Sequence, residues 1–183
     1  NLAQKLKTKK GIVVHTSGAK PLDEVALHTN YGVFYPLQSF SKDLEVNFQE
    51  VPICIEANSK KSLEQLNLLA NALSNKVYHI DSKQRKSLHL SAVFVNNFSN
   101  YMFTVAQDLC DTNNVPFEIL HPLITETALK ATLQSPKNVQ TGPAKRGDKE
   151  TIQSHLEQLK DTKHKDVYKQ LTLHILTYYG NKL

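Results

Sequence analysis

At Ser82 the chain changes its period. Upstream, short β-branched or aromatic runs alternate with polar turns and one amphipathic segment. Downstream, apolar residues step by three and four, and no strand-like run appears. Gly11-Ile12-Val13-Val14-His15 reads as a buried strand that ends at Thr16-Ser17-Gly18. Tyr31-Gly32-Val33-Phe34-Tyr35 reads as a second strand, stopped by Pro36, and Val51 to Glu56 as a third. Pro52 puts that third strand near its start or at a sheet edge, because proline cannot donate to a ladder. A helix follows from about Ser59, with Leu63, Leu66, Leu69, Ala70 and Leu73 at helical spacing, and Lys76 to Ile80 is a fourth strand. Strands alternating with a helix predict an α/β layer with a largely parallel sheet.

Past Ser82, the residues Leu88, Ala92, Val95, Phe98, Met102, Val105 and Leu109 describe one long amphipathic helix of about seven turns, ended by Asn113-Asn114. A second helix runs from Pro116 to about Leu133, with Pro122 marking a kink or a restart. Ile152, Leu156 and Leu159 define a third helix. Val167, Leu171, Ile175 and Tyr178 define a fourth, stopped by Gly180. The expected fold is therefore α/β followed by all-α, with residues 1–82 in the first domain and 83–183 in the second. A doubly wound sheet has more strands than three or four, and opens with GxGxxG after its first strand. Neither is found here. The expectation is a partial Rossmann-like sheet whose N-terminal half is not among these residues; the alternative is a short protein that uses the sheet only as a scaffold.

Composition narrows the function classes. With 183 residues, 40% hydrophobic and 21% charged, the chain is globular and not disordered. No apolar run approaches the roughly 20 residues of a membrane-spanning helix, and Asn1 to Lys10 has no secretory apolar core. Cys54 and Cys110 show neither CxxC nor metal-ligand spacing. They are expected as small core residues in a reducing, cytoplasmic compartment, with no metal. The net charge of +5 gathers at Lys5 to Lys10, Lys60-Lys61 and Lys83 to Lys86. No aromatics interleave these clusters as they do in single-strand binders, and no nucleic-acid motif is present. No nucleic acid or membrane partner is expected, and a cofactor with several phosphates accounts equally well for a basic surface.

Four stretches carry candidate chemistry. In open α/β sheets, ligands bind beyond the carboxyl ends of strands. His15, Thr16, Ser17 and Gly18 lie at one such end, and Pro36, Gln38 and Ser39 at the next, so both loops are candidate cofactor contacts. Gln38 and Ser39 offer uncharged donors and acceptors suited to a carboxamide. On the long helix, His89, Val93, Asn96 and Asn100 share one stripe, with Asn97 beside it. His89 is a candidate proton donor, and Asn96 and Asn97 are neutral orienting groups. The fourth stretch is Thr141-Gly142-Pro143-Ala144-Lys145-Arg146-Gly147-Asp148. Gly142-Pro143 gives a stiff turn, and Gly147 frees the backbone. Asp148 suits the N-cap of the next helix, with Glu150 in its first turn. Arg146 is left projecting from a rigid mount.

In order, HTSGA, YPLQSFS, LHLSAVFVNNF and TGPAKRGD followed by ETIQSHLEQL resemble a family of Rossmann-like proteins named as NADP oxidoreductases. These are distantly similar to pyrroline-5-carboxylate reductase, and their helical domain resembles the C-terminal domain of 6-phosphogluconate dehydrogenase. The family's usual HPLQTFS becomes YPLQSFS, so Tyr35 stands where a histidine is usual. His89 matches its histidine-bearing helix start, and its asparagine-tyrosine pair becomes Asn97-Phe98. Its TGPxxRGD motif is matched at Thr141, Gly142, Pro143, Arg146, Gly147 and Asp148. Its glycine-rich fingerprint has no counterpart here. The resemblance implies NADP or NAD as cofactor and a helical, homodimer-forming domain. It also implies hydride transfer with a small-molecule substrate. His15 to Gly18 would flank the nicotinamide, with Gln38 and Ser39 closing the pocket. His89 and Asn97 would act on the substrate beside Asn96, and Arg146, on its Thr141-Gly142-Pro143 mount, would hold an anionic group. A non-catalytic dimerising or regulatory protein on the same fold is the alternative.

Overall fold

A computed structural model of the chain describes Leu6 and residues 11–180. Apart from Leu6, the basic Lys5 to Lys10 cluster lies outside the described residues. The chain divides into two compact units, Asn1–Asn100 and Tyr101–Leu183.

The first unit holds a four-stranded sheet, in the order β1 (Val13–His15), β2 (Tyr31–Pro36), β3 (Ile53–Ala57) and β4 (Val77–His79). Each strand coincides with a β-branched or aromatic run. The α/β-then-helical architecture stands, but the sheet is mixed and not parallel throughout. β1–β2 and β3–β4 pair parallel, whereas β2–β3 pair antiparallel, with Phe34 opposite Ile55. The reason lies in the connections. Helix α1 (Lys60–Leu73) provides the crossover from β3 to β4. Residues 37–52 form only a 3₁₀ turn, Phe48–Glu50, and return the chain antiparallel.

Side chains alternate across a strand, so the register assigns the faces. Phe34, Ile53 and Ile55 point to one side and form the core with Leu66 and Ala70 of α1. Gly32 lets α1 approach, since a Cβ there would meet Leu66 Cδ1 at 2.7 Å and the Glu56 carbonyl at 2.6 Å. Leu69 and Leu73, though helically spaced, are exposed, because only one narrow stripe of α1 meets the sheet. The opposite face carries His15, Val33, Tyr35, Cys54 and Glu56, in which His15 and Glu56 flank Val33, and Tyr35 pairs with Cys54. Cys54 is buried there as expected, whereas Cys110 is only half-buried.

Asp81 and Gln84 form a reciprocal capping box at the start of α2 (Ser82–Ala92). The long helix expected from periodicity is interrupted. A π-helical turn, Val93–Phe98, separates α2 from α3 (Ser99–Thr112). The second unit continues with a 3₁₀ turn, Phe117–Leu120, and α4 (His121–Leu133), so Pro122 marks a restart. The short helices α5 (Pro136–Val139) and α6 (Pro143–Arg146) precede α7 (Lys149–Gln158) and α8 (Lys165–Tyr179), which ends at Gly180. Ala144, Leu159 and His164 are buried within this unit. His164 Nε2 meets Asp108 Oδ2 at 3.0 Å, and His155 Nδ1 meets the Tyr168 hydroxyl at 2.8 Å. Among the described residues no helix is long and apolar enough to cross a membrane.

Candidate functional site

The sheet face opposite α1 gathers much of the chemistry read from the sequence. β1 and β2 run parallel, so the loops after His15 and after Pro36 leave the sheet at the same edge. His15 is held from both sides. Its Nδ1 accepts from the Ser17 N–H at 3.2 Å, and its Nε2 lies 3.0 Å from the Pro21 carbonyl. An acceptor at one nitrogen and a donor at the other define a neutral ring. Burial pushes its pKa below the ordinary value, with the nearby Arg85 cation acting the same way and the Pro21 bond opposing. Ser17 Oγ accepts from the Ala19 and Lys20 N–H groups. These two side chains shape the loop.

That loop brings Gly18 against α2. A Cβ on Gly18 would lie 2.7 Å from His89 Nδ1 and 2.9 Å from Tyr35 Cζ, so any side chain there would force one of these rings to shift. The Tyr35 hydroxyl lies 3.4 Å from His89 Nδ1, with the rings edge to face. Burial, reinforced by Cys54, pushes the Tyr35 phenol above its usual pKa, so it keeps its proton at neutral pH. A protonated phenol is able to donate to Nδ1, the arrangement that goes with a His89 proton on Nε2, and Nε2 has no partner among the described residues. Thr16, Gln38 and Ser39 are exposed at the same strand-end edge. Gln38 Oε1 accepts from the Ser39 N–H at 2.9 Å, and the Gln38 amide nitrogen has no partner among the described residues.

A buried polar latch, which sequence reasoning missed, lies behind this cluster. Arg85, 1% exposed, forms an ion pair with Glu56 and donates to the Lys20 carbonyl at 2.7 Å and to Ser82 Oγ at 3.2 Å. Ser82 donates to both Glu56 oxygens, and its hydroxyl accepts from the Leu22 N–H. Strand β3, helix α2 and the 16–22 loop are thereby tied at one point. Arg85 reads in sequence as part of the basic Lys83 to Lys86 cluster. The signal that singles it out is Glu56, a carboxylate at the end of a buried strand with no basic neighbour in sequence.

The remaining candidates lie elsewhere. Asn96 and Asn97 sit on the π-helical turn and are exposed. That turn breaks the i, i+4, i+7 stripe expected to align them with His89. Thr141, Gly142, Pro143 and Arg146 belong to the second unit. Gly142 and Gly147 adopt positive φ of 108° and 67°, and Asp148 caps α7 by accepting from the Thr151 N–H. Arg146 stands off this frame, its side chain 64% exposed and 3.8 Å from Asp148. It lines a cavity of about 1230 Å³ with Lys137, Lys145, Lys149, Tyr178 and Tyr179. Among the described residues no group of three or more His, Cys, Asp or Glu is arranged to hold a metal.

Residues 51–175 match the family model described as a domain of unknown function, DUF2520. This chain belongs to the DUF2520 family. No curated protein matches it. Among solved structures, the DUF2520 chain is similar to a protein from Bacteroides fragilis named "putative NADP oxidoreductase". The two are 46% identical with a TM-score of 0.85, over 90% of this chain and 64% of that one. A protein from Thermotoga maritima shares the fold at 20% identity and a TM-score of 0.79, over 97% of this chain and 72% of that one. The chain thus spans about two thirds of the length of these neighbours.

Proposed function

We propose that this DUF2520 chain is part of an NAD(P)-dependent oxidoreductase acting on a small anionic substrate. The observation that carries the reading is the 46% identity to the Bacteroides fragilis protein named for NADP oxidoreduction. The strand-end cluster supports it. Neutral groups, Thr16, Gln38 and Ser39, lie exposed at one edge of the parallel β1–β2 pair, and they fit the carboxamide end of a nicotinamide. They do not fit its phosphates. The one close-packed glycine of this edge, Gly18, is filled by the chain's own His89 and Tyr35. The cofactor supplies the hydride when bound.

The chain's own residues then have separate tasks. His89 moves a proton at Nε2, with Tyr35 fixing its tautomer through Nδ1. His15 and Ser17 shape the loop that carries Gly18. Asn96 and Asn97 orient substrate, and Arg146 on its Thr141–Pro143 mount holds the substrate's anionic group. Residues 1–82 serve as the C-terminal part of a Rossmann-like domain of the kind found in pyrroline-5-carboxylate reductase. Residues 83–183 serve as a domain like the C-terminal one of 6-phosphogluconate dehydrogenase and pair two copies of the chain in the cytoplasm. Exposed Leu123, Leu129 and Leu133 of α4 offer apolar surface for that pairing.

Titration of NADPH fluorescence with the full-length protein tests the reading. Saturable binding is expected. His89→Asn should leave that binding intact and lower turnover by about a hundredfold or more, the usual contribution of a positioned acid or base. If NADPH does not bind while native mass shows a dimer, the protein is a non-catalytic dimeriser. The loss of the family's usual histidine at Tyr35 favours that second reading.

A further inference from the structure

The cavity beside Arg146 is built entirely within the second unit, and its charge is unbalanced. Lys137, Lys145, Arg146 and Lys149 line it, and among the described residues no aspartate or glutamate does. Among the described residues Lys137, Lys145 and Lys149 have no carboxylate partner. Arg146 has only Asp148 at 3.8 Å. That carboxylate is already committed to the Thr151 N–H at 3.1 Å and the Thr151 hydroxyl at 2.7 Å. Like charges brought together without counter-charge repel, and an anion entering the cavity would relieve that repulsion.

The other contacts keep these cations in place. Lys145 Nζ donates to the Gln140 carbonyl at 2.6 Å and lies 5.9 Å from the centre of the Tyr179 ring. Lys137 Nζ lies 5.7 Å from the Tyr178 ring centre. The two rings, 4.8 Å apart and inclined at 61°, make an angular aromatic wall. The turn under Arg146 has its φ fixed at Pro143, and Gly142 and Gly147 take backbone conformations that side chains disfavour. A planar guanidinium on a fixed base, with lysines around it, matches the several oxygens and double charge of a phosphoryl group better than a single carboxylate.

We propose that this cavity binds the phosphoryl group of a phosphorylated small molecule, with Arg146, Lys145 and Lys149 as its cationic seat and Tyr178 and Tyr179 as the wall for the rest of the molecule. This deepens the assignment of Arg146 as an anion holder and rests on it, but it is independent of hydride transfer.

Calorimetric titration of the full-length protein with inorganic pyrophosphate tests it, with citrate as a control of similar charge. Saturable pyrophosphate binding well above citrate is expected. Lys149→Gln and Arg146→Lys should each weaken it about tenfold, the worth of one charge-assisted hydrogen bond. Absence of pyrophosphate binding, equal binding of citrate, or an unchanged affinity in Lys149→Gln would overturn the proposal. NADPH titrated into Lys149→Gln should bind as in the parent protein. Pyrophosphate binding without NADPH binding would sink the oxidoreductase reading alone, and the converse would sink this one alone.

Discussion

In the sheet unit, Arg85 is buried with Glu56 as its partner. In the helical unit, four cations gather around a cavity with one distant carboxylate between them. The first arrangement is closed. Apart from Arg85 Nε, the guanidinium is used inside the protein, and so are both nitrogens of His15. The second is open, because most of its charge is left for something else. Closed polar networks hold geometry, whereas open ones bind. The contrast separates the part of the molecule that positions His89 from the part proposed to hold an anion, and it can be broken at either end.

The largest effect is expected at the latch. Arg85→Met leaves the Glu56 carboxylate facing a pocket with no cation. Removing one partner of a buried pair costs about 3–5 kcal/mol, so the denaturant midpoint should fall accordingly. Adding Glu56→Met should recover part of that loss. A cost below about 1 kcal/mol, the worth of an exposed pair, would show that the network is not the closed structure described.

Gly18→Ala comes next. Its Cβ would collide with His89 and Tyr35, and overpacking of this kind costs about 1–3 kcal/mol. The expected signature is local as well as global. The His89 imidazole signals should shift in NMR spectra while those of His155 and His164 stay in place. Normal stability with unchanged His89 signals would mean that the 16–22 loop yields easily, and the claim that this edge is rigid would fail.

Much of this frame was legible in the sequence, and the parts that were not share a cause. The four strands, the helix after Ser59 and the Asp148 cap follow from local period and local capping chemistry. Gly18, at a strand end, and His89, on a helix stripe, come together, since a Cβ on Gly18 would lie 2.7 Å from His89 Nδ1. The antiparallel β2–β3 pairing was not legible, because pairing is decided by what the connection lacks as much as by the strands. The π-helical turn leaves no mark on a 3.6-residue pattern that runs smoothly through Ala92 to Phe98. Arg85 was hidden among lysines, since the Glu56 that buries it lies 29 residues away.

A gentler probe is pH. Burial holds the folded-state pKa of His15 below its ordinary value of 6.5. Above that value the ring is neutral in both folded and unfolded chains, and its contribution is constant. As pH falls through about 6.5, the unfolded chain takes up the proton first, so stability is lost from there down to the lower folded-state pKa. His15→Gln should flatten this part of the stability curve relative to the parent protein. An unchanged slope would mean that His15 titrates freely and is not locked between Ser17 and Pro21.

The smallest effect is expected at the open end. Lys149→Gln removes a charge with no carboxylate partner among the described residues, so stability should change by no more than about 0.5 kcal/mol, and upward, because repulsion around the cavity falls. The informative comparison is with anion present. Anything that binds only the folded state stabilises it in proportion to its occupancy, so pyrophosphate should raise the Tm of the parent protein more than that of Lys149→Gln, and the order of the two should reverse. A lysine that served the fold would behave oppositely, destabilising when replaced whether or not an anion is present. The helical unit would then be as closed as the sheet unit.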